Sequence, residues 1–406
     1  MIRARYALAW VGFFGTFTVS NSSCKVLSFL KLIEFLHCIK VYFCRLNLSI
    51  AVVSMVKEQR SIGSNSNVTI CSPHQTMAKP FDHTTHVKER LGQDFDWSIG
   101  QQGDLLASYY YGYIWTQAAG PMLASSWGYK KVWLWTMLLA SILTMVTPQL
   151  AYAGYGWLLA SRVLIGLCHG VSFPCMHGMV GYWAPPMERS KLVSIYVSGA
   201  SIGTCVLFPL AGLLIFSLGW PWVFYFTGFI GLLWCLVWTM MVYDSIEKHP
   251  WISNEEKEFL KATRVSVNVK PAVPWKKILS STPVIAVAAG HLASNWGNYQ
   301  LNSLLPTYLA NVLNYDIKSN GFISSLPFIA QSVVCFIGGY LTDYVRQRDL
   351  CQTLTIRKIN TALGLVIPAV TVVLAGYSGC NAPLAISFFI LSVGFNTFTV
   401  PGCKTA

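Results

Sequence analysis

The sequence predicts an all-α, polytopic membrane protein. Three observations carry that prediction: a shortage of charge, long apolar runs at regular intervals, and lysines and arginines confined to alternate gaps between the runs. Of the 406 residues, 54% are hydrophobic and only 11% are charged, against about 25% charged in a soluble globular chain. Aromatic residues make up 14%, and the mean hydropathy is +0.48. A water-soluble protein of this size needs far more polar surface to cover its core. Disorder is excluded as well, because low hydrophobicity is what keeps a chain unfolded.

A helix that crosses the hydrocarbon core takes about 20 predominantly apolar residues. Such runs fall at 104–126, 132–153, 156–184, 192–217, 220–243, 282–313, 320–345, 357–377 and 382–402, and the region 6–56 supplies at least one more. That makes about ten spans. One long polar stretch, 244–281, interrupts the series. Within it Glu256 follows Ser253 by three residues, a capping-box spacing that predicts a short amphipathic helix. The chain therefore divides into an N-terminal membrane half (1–243), a central loop (244–281) and a C-terminal membrane half (282–406).

The formal net charge of +13 comes from 29 Lys+Arg against 16 Asp+Glu. A nucleic-acid-binding protein gathers such cations on one water-exposed face. Here they sit in short gaps between apolar runs, so the expected partner is the lipid bilayer, with no nucleic acid. Arg3 and Arg5 precede the first span, and later gaps hold Lys130 and Lys131, Arg189 and Lys191, Lys276 and Lys277, and Arg346, Arg348, Arg357 and Lys358. The gaps near 154, 218 and 380 contain neither Lys nor Arg. The positive-inside rule then places the N-terminus and the central loop in the cytoplasm. Loop 57–103 falls on the other side, where the sequon Asn67-Val-Thr69 makes Asn67 a glycosylation candidate.

The twelve cysteines are scattered singly, most of them inside apolar runs, and no Cys/His spacing suggests a metal site. No catalytic constellation and no nucleotide-binding Gly-Lys-Ser/Thr loop occur in the sequence. The chain is therefore not expected to be an enzyme, to hold a cofactor or metal, or to be driven by ATP.

Two turns carry a shared pattern. The first reads Gly120-Pro-Met-Leu-Ala-Ser-Ser-Trp-Gly128-Tyr-Lys130-Lys131, and the second, in the other half, reads Gly338-Gly339-Tyr-Leu-Thr-Asp343-Tyr-Val-Arg346. Both are small-residue helix ends followed by a tight turn and cations. Glycine lets helices approach closely there, and an acid beside a helix end can latch against a neighbour's charge. Gly120, Gly128, Lys130, Lys131, Gly339, Asp343 and Arg346 are thus the candidate gating residues. The pair resembles the signature turn of the major facilitator superfamily, in which two six-helix halves rock about a midplane site.

A more specific resemblance covers nearly the whole chain. It rests on Arg45-Leu-Asn-Leu-Ser-Ile-Ala-Val-Val, Tyr182-Trp-Ala-Pro-Pro-Met-Glu188-Arg189, Asn295-Trp-Gly-Asn-Tyr299 with Leu305-Pro-Thr-Tyr308, and Asp343-Tyr-Val-Arg-Gln-Arg. These stretches resemble the anion:cation symporter family, which holds sodium/phosphate cotransporters, sialin and the vesicular glutamate transporters. The run His291-Leu-Ala-Ser-Asn-Trp-Gly-Asn-Tyr-Gln is most similar to the invertebrate inorganic phosphate cotransporter branch. The resemblance implies a twelve-helix fold, of which about ten helices are present. It also implies secondary symport of inorganic phosphate or a small organic anion, driven by Na⁺ or H⁺, in the plasma membrane or a lysosomal or vesicular membrane. Two alternatives stay open: a proton-coupled organelle exporter of acidic sugars or other organic anions, and a truncated, non-transporting membrane protein.

The residue types point to an anion site on their own account. A charge inside hydrocarbon costs about 2.5–3.5 kcal/mol on insertion scales, so it normally faces a cavity. Arg45 cannot be neutralised, and its forked donor suits a carboxylate or phosphate; the resemblance implies the same role. A helix–helix hydrogen-bonding arginine is the structural alternative. Arg162 and His169 lie two helical turns apart and share a face. Arg162 could equally snorkel to the interface. His169 stands where proton-coupled relatives such as sialin carry Glu, a departure that leaves the coupling ion open, although a neutral His can still exchange a proton near pH 6–7. Asn295 and Tyr299 belong to an amide-rich segment that argues for a water-lined cavity wall. Ser294 and Leu106 replace the second Arg and the His of the glutamate transporters, which argues against glutamate.

Two irregularities stand out. Residues 6–18 read as the first half of a span and 41–56 as its second half, while 19–40 carries Lys25, Lys31, Glu34 and Lys40 and has no counterpart in the family. It reads as an insertion, from a retained intron or gene-model error or as a natural segment. The C-terminal half also stops after four helices where six are expected.

Overall fold

The computed structural model describes residues 25–57, 94–184, 189–244, 250–263, 275–348, 351–400 and 402. Among the described residues the architecture is helical, and the only strand-like feature is an isolated bridge between Val56 and Phe95. The long helices are α1 (Lys25–Met55), α2 (Ile99–Trp127), α3 (Tyr129–Ala153), α4 (Tyr155–Gly170), α5 (Ser172–Trp183), α6 (Arg189–Leu218) and α7 (Pro221–Met241). Two short helices follow, α8 (Asn254–Thr263) and α9 (Trp275–Leu279). The last four are α10 (Thr282–Asn311), α11 (Ile317–Gln347), α12 (Thr353–Tyr377) and α13 (Ala382–Asn396), closed by a 3-10 turn at Thr397–Thr399.

Among the described residues, eight helical segments are long and apolar enough to cross a membrane. α2 and α10 have spanning length but carry many hydroxyls and amides, as their sequences show. Large apolar side chains such as Ile114, Trp115, Trp157, Phe229, Val366 and Val373 lie exposed on the helices. A water-soluble surface does not carry so many; a lipid-facing one does. The chain is a multi-pass membrane protein.

Helix ends follow the local chemistry. Ser98 Oγ accepts from the Gln101 N–H at 3.2 Å while Gln101 Oε1 accepts from the Ser98 N–H at 2.9 Å, so α2 starts five residues before its apolar run. Ser253 Oγ likewise accepts from the Glu256 N–H at 3.1 Å and starts α8, as its spacing predicts. The run 156–184 forms two helices because Pro174 has no N–H to give the Gly170 carbonyl, and the chain breaks at Val171.

The first helix differs from the sequence expectation. Residues 25–40, set apart above as an insertion, form the first half of the unbroken 31-residue α1. Lys31, Glu34, His37 and Lys40 recur every third residue and are all buried in protein. The Trp133 indole N–H donates to His37 Nε2 at 3.1 Å, Lys40 Nζ lies 3.2 Å from Met137 Sδ, and the Trp234 indole N–H donates to the Ile33 carbonyl at 3.2 Å. The half-span 6–18 and the sequon at Asn67 lie outside the described residues.

The described residues divide into two compact units. The first draws on the described residues within Met1–Arg45, Gly103–Gly203 and Phe224–Asn268, and the second on those within Leu46–Gln102, Thr204–Val223 and Val269–Ala406. A core of Tyr109, Tyr113, Ala140, Ile165 and Cys168 lies in the first. A core of leucines, alanines and Phe389, from α10, α12 and α13, lies in the second.

Candidate functional site

The site in the first unit is built where α2 and α4 come into backbone contact. A methyl group added at Gly166 would sit 1.9 Å from the Tyr109 carbonyl oxygen, and one at Gly112 would sit 2.0 Å from that of Val163. Gly170 meets Tyr113 and Thr116 in the same way. Gly166 and Gly170 are thus a small-xxx-small pair, which lets two helices approach to backbone distance.

That approach puts α2 tyrosines against α1 and α4. The Arg45 guanidinium is 3% exposed and stands over four phenol rings: Tyr110 at 4.8 Å, Tyr109 and Tyr113 at 5.3 Å, and Tyr42 at 5.4 Å. Each contact attracts the cation electrostatically through the ring quadrupole. Arg162, 1% exposed, donates from Nη1 to the Cys44 carbonyl at 3.2 Å and from Nη2 to the Arg45 carbonyl at 2.9 Å. It also lies 5.7 Å from the Tyr109 ring. His169 is fully buried, with Nδ1 3.1 Å from the Tyr109 hydroxyl. Arg45, Arg162 and His169 are therefore brought together, with Tyr109 touching all three.

Asn295 and Tyr299 stand half-buried on α10 in the second unit. A cavity of about 260 Å³ in that unit has Asn298, Ser392 and Asn396 as its main polar lining, among apolar groups that include Trp296 and Pro368. Asn298 rather than Asn295 lines it, and Asn302 donates to Asn298 Oδ1 at 3.4 Å. Ser294 is buried, 3.0 Å from Thr399 Oγ1 and 3.4 Å from Asn396 Oδ1, joining α10 to the end of α13.

The turn between α2 and α3 has a partner the sequence did not reveal. Gly128 takes φ +91°, a conformation that favours glycine. The Lys130 backbone N–H donates to Asp244 Oδ1 at 2.7 Å, and its Nζ donates to the Thr239 carbonyl at 3.0 Å and lies 4.5 Å from the Tyr243 ring. The Trp238 indole N–H donates to the Lys130 carbonyl at 3.2 Å. The turn is thus pinned to the end of α7. Gly120 is buried against the α4–α5 break at Val171, Lys131 is exposed, and Gly339 has open space around it. Asp343 and Arg346 lie on α11, and their side chains fall outside the described residues. Asp244 was missed because an acid just past a span also reads as ordinary loop charge; Tyr42 was legible as Arg45's neighbour one turn earlier on the same helix.

A helical membrane protein with a buried arginine among phenols and a glycine-lined crossing has the design of a carrier. Residues 85–403 match the Major Facilitator Superfamily. Sialin of Homo sapiens is 37% identical over 400 residues, covering 98% of this chain and 75% of its own length. Vesicular glutamate transporter 3 of Danio rerio is 33% identical over 364 residues, covering 88% of this chain and 58% of its own length. Among solved structures, a bacterial homologue of the human lysosomal transporter Spinster, inward-facing and occupied, matches with a TM-score of 0.65 at 15% identity, over 95% of this chain and 75% of that one. The chain belongs to the Major Facilitator Superfamily, within its anion:cation symporter family. It is a membrane transporter and not an enzyme.

Proposed function

We propose that this transporter is a proton-driven symporter of a small anion, either inorganic phosphate or a small organic acid, and that Arg45 binds the anionic group. The observation that carries this reading is the placement of Arg45: a permanent cation, buried in the middle of a spanning helix and surrounded by phenols. The four rings hold the guanidinium in place, and a planar fork pairs with carboxylate or phosphate in two parallel hydrogen bonds. The rings also close over it, so an anion gains entry only when they part. Arg162 acts here as a positioning residue, since its two bonds fix the α1 backbone at Arg45.

Phenols, an imidazole and cations face Arg45 and His169 among the described residues. They suit a proton as the coupling ion, whereas a hard metal cation calls for several oxygen ligands. The second unit carries its own amide-rich segment at Asn295 and Tyr299, and 1–243 and 282–406 are read as the two membrane halves with 244–281 as their cytoplasmic link. Similarity to sialin favours a second reading, export of acidic sugars or other organic anions from an acidic organelle. The same chemistry serves a plasma-membrane or a vesicular carrier. The N-terminus is assigned to the cytoplasm by the loop charges alone.

The test is uptake of labelled phosphate and labelled glucuronate by the full chain in liposomes, under imposed H⁺ or Na⁺ gradients. Arg45→Ala should lower H⁺-driven uptake at least about tenfold, the scale of one charge-assisted hydrogen bond. Uptake by Arg45→Ala at the parent rate would remove the anion-site role.

A further inference from the structure

The pair Tyr109–His169 belongs to two helices, and its geometry specifies how a proton and an anion can depend on each other. This inference rests on the anion-symport reading above and adds the coupling device. We propose that the Tyr109 hydroxyl is a proton-operated switch, donating to neutral His169 and turning to the anion at Arg45 once His169 is protonated.

A neutral imidazole offers one donor and one acceptor nitrogen. Imidazole nitrogen is a far stronger base than phenol oxygen, so the neutral pair settles with the Tyr109 O–H donating to Nδ1 across 3.1 Å. The ring proton of His169 then sits on Nε2, a fully enclosed atom with no hydrogen-bond partner among the described residues. Two guanidiniums, at 5.3 and 5.7 Å from the Tyr109 ring, draw electron density from it and strengthen the phenol as a donor.

Protonation reverses the bond. Both nitrogens of imidazolium are donors, so Nδ1–H must point at the Tyr109 oxygen and the hydroxyl proton must rotate away. Nδ1 gains one proton and Tyr109 keeps its own. The freed O–H then joins the Arg45 fork as a further donor to one anion.

The charges around the pair give the coupling its sign. His37, Lys40 and Arg45 on α1 and Arg162 on α4 act on His169, and Tyr109 faces it from α2. No carboxylate is among these groups. A charged His169 adds one more cation to the groups named here, and an anion at Arg45 compensates it. Each ligand favours the other, and by linkage the two effects are equal. A hydroxyl partner on α2 gives the histidine a means of reporting its charge.

The full chain is tested in liposomes with labelled glucuronate, which stays ionised throughout the range used, and with labelled phosphate. For the parent, KM should fall about tenfold between pH 7.5 and 5.5, the fold-change of an ordinary coupling free energy. Tyr109→Phe keeps the ring and its stacking. It should flatten KM to within about twofold over that range, and His169→Gln should flatten KM likewise. A parental pH dependence of KM in Tyr109→Phe would overturn the switch, because loss of a merely structural hydroxyl would not abolish that slope selectively. A second arm needs no transported anion. In chain labelled with ¹⁵N-histidine and assigned with His169→Gln, Tyr109→Phe should move the His169 Nδ1 resonance of the neutral ring; an unchanged resonance overturns the proposal. Should the parent take up neither anion while that resonance moves, the hydroxyl switch is supported and the anion-symport reading fails.

Discussion

Gly166→Ala is the sharpest structural test, because it acts through one atom. The added methyl would lie 1.9 Å from the Tyr109 carbonyl oxygen, where a carbon–oxygen contact sits at about 3.3 Å. Both partners are helix backbone, so neither can yield by changing a rotamer. α2 and α4 must part by about 1.4 Å to relieve the clash. The Tyr109–His169 bond, 3.1 Å long and borne by these same two helices, then passes beyond hydrogen-bond range, as distances over about 3.5 Å do not hold. Overpacking costs about 1–3 kcal/mol, and a lost internal hydrogen bond adds about 1 kcal/mol. Thermal unfolding of the detergent-purified chain should shift down by several degrees. H⁺-driven uptake should fall further than in Tyr109→Phe, which leaves the helix contact intact. A variant that melts within about one degree of the parent and transports at its rate would refute the backbone-contact argument.

Other outcomes follow from single contacts. Gly128→Ala forces a side chain into φ +91° and brings its Cβ to 3.2 Å from Asp244 Oδ2; a loss of about 1–2 kcal/mol in unfolding free energy is expected. Arg45→Lys keeps the charge but loses the planar fork that lies over four rings, so anion KM should rise at least about tenfold even though the site remains cationic. Ser294→Ala removes the 3.0 Å contact with Thr399 and should cost about 1 kcal/mol in stability, visible as a lower Tm with little change in KM.

Much of the fold was legible because the bilayer imposes one rule on every span. Backbone polar groups must be satisfied within the segment, so apolar run length maps directly onto helix length. Nine runs set out from the sequence correspond to helical segments of the structure, and the Ser253 cap lies where its spacing puts it. Capping moved a helix start at Ser98, and a proline divided one run in two at Val171. The first helix was the exception. Four ionisable residues at 31–40 contradict the composition of a span, yet protein rather than lipid surrounds them. Hydropathy has no means of registering that difference.

The site divides along the same line. Arg45 and His169 stood out by residue type alone, since a charge or an imidazole within a span needs a reason. Their connection through Tyr109 did not, because four tyrosines in a row along α2 also read as aromatic packing. Composition and spacing determined that this chain crosses a membrane repeatedly, with an arginine in its first span. Only the crossing of α2 on α4 decided which tyrosine reaches the histidine and which backbone the second arginine holds. Those choices depend on helix faces meeting at distances set by absent side chains, and a linear sequence carries no measure of distance between helices.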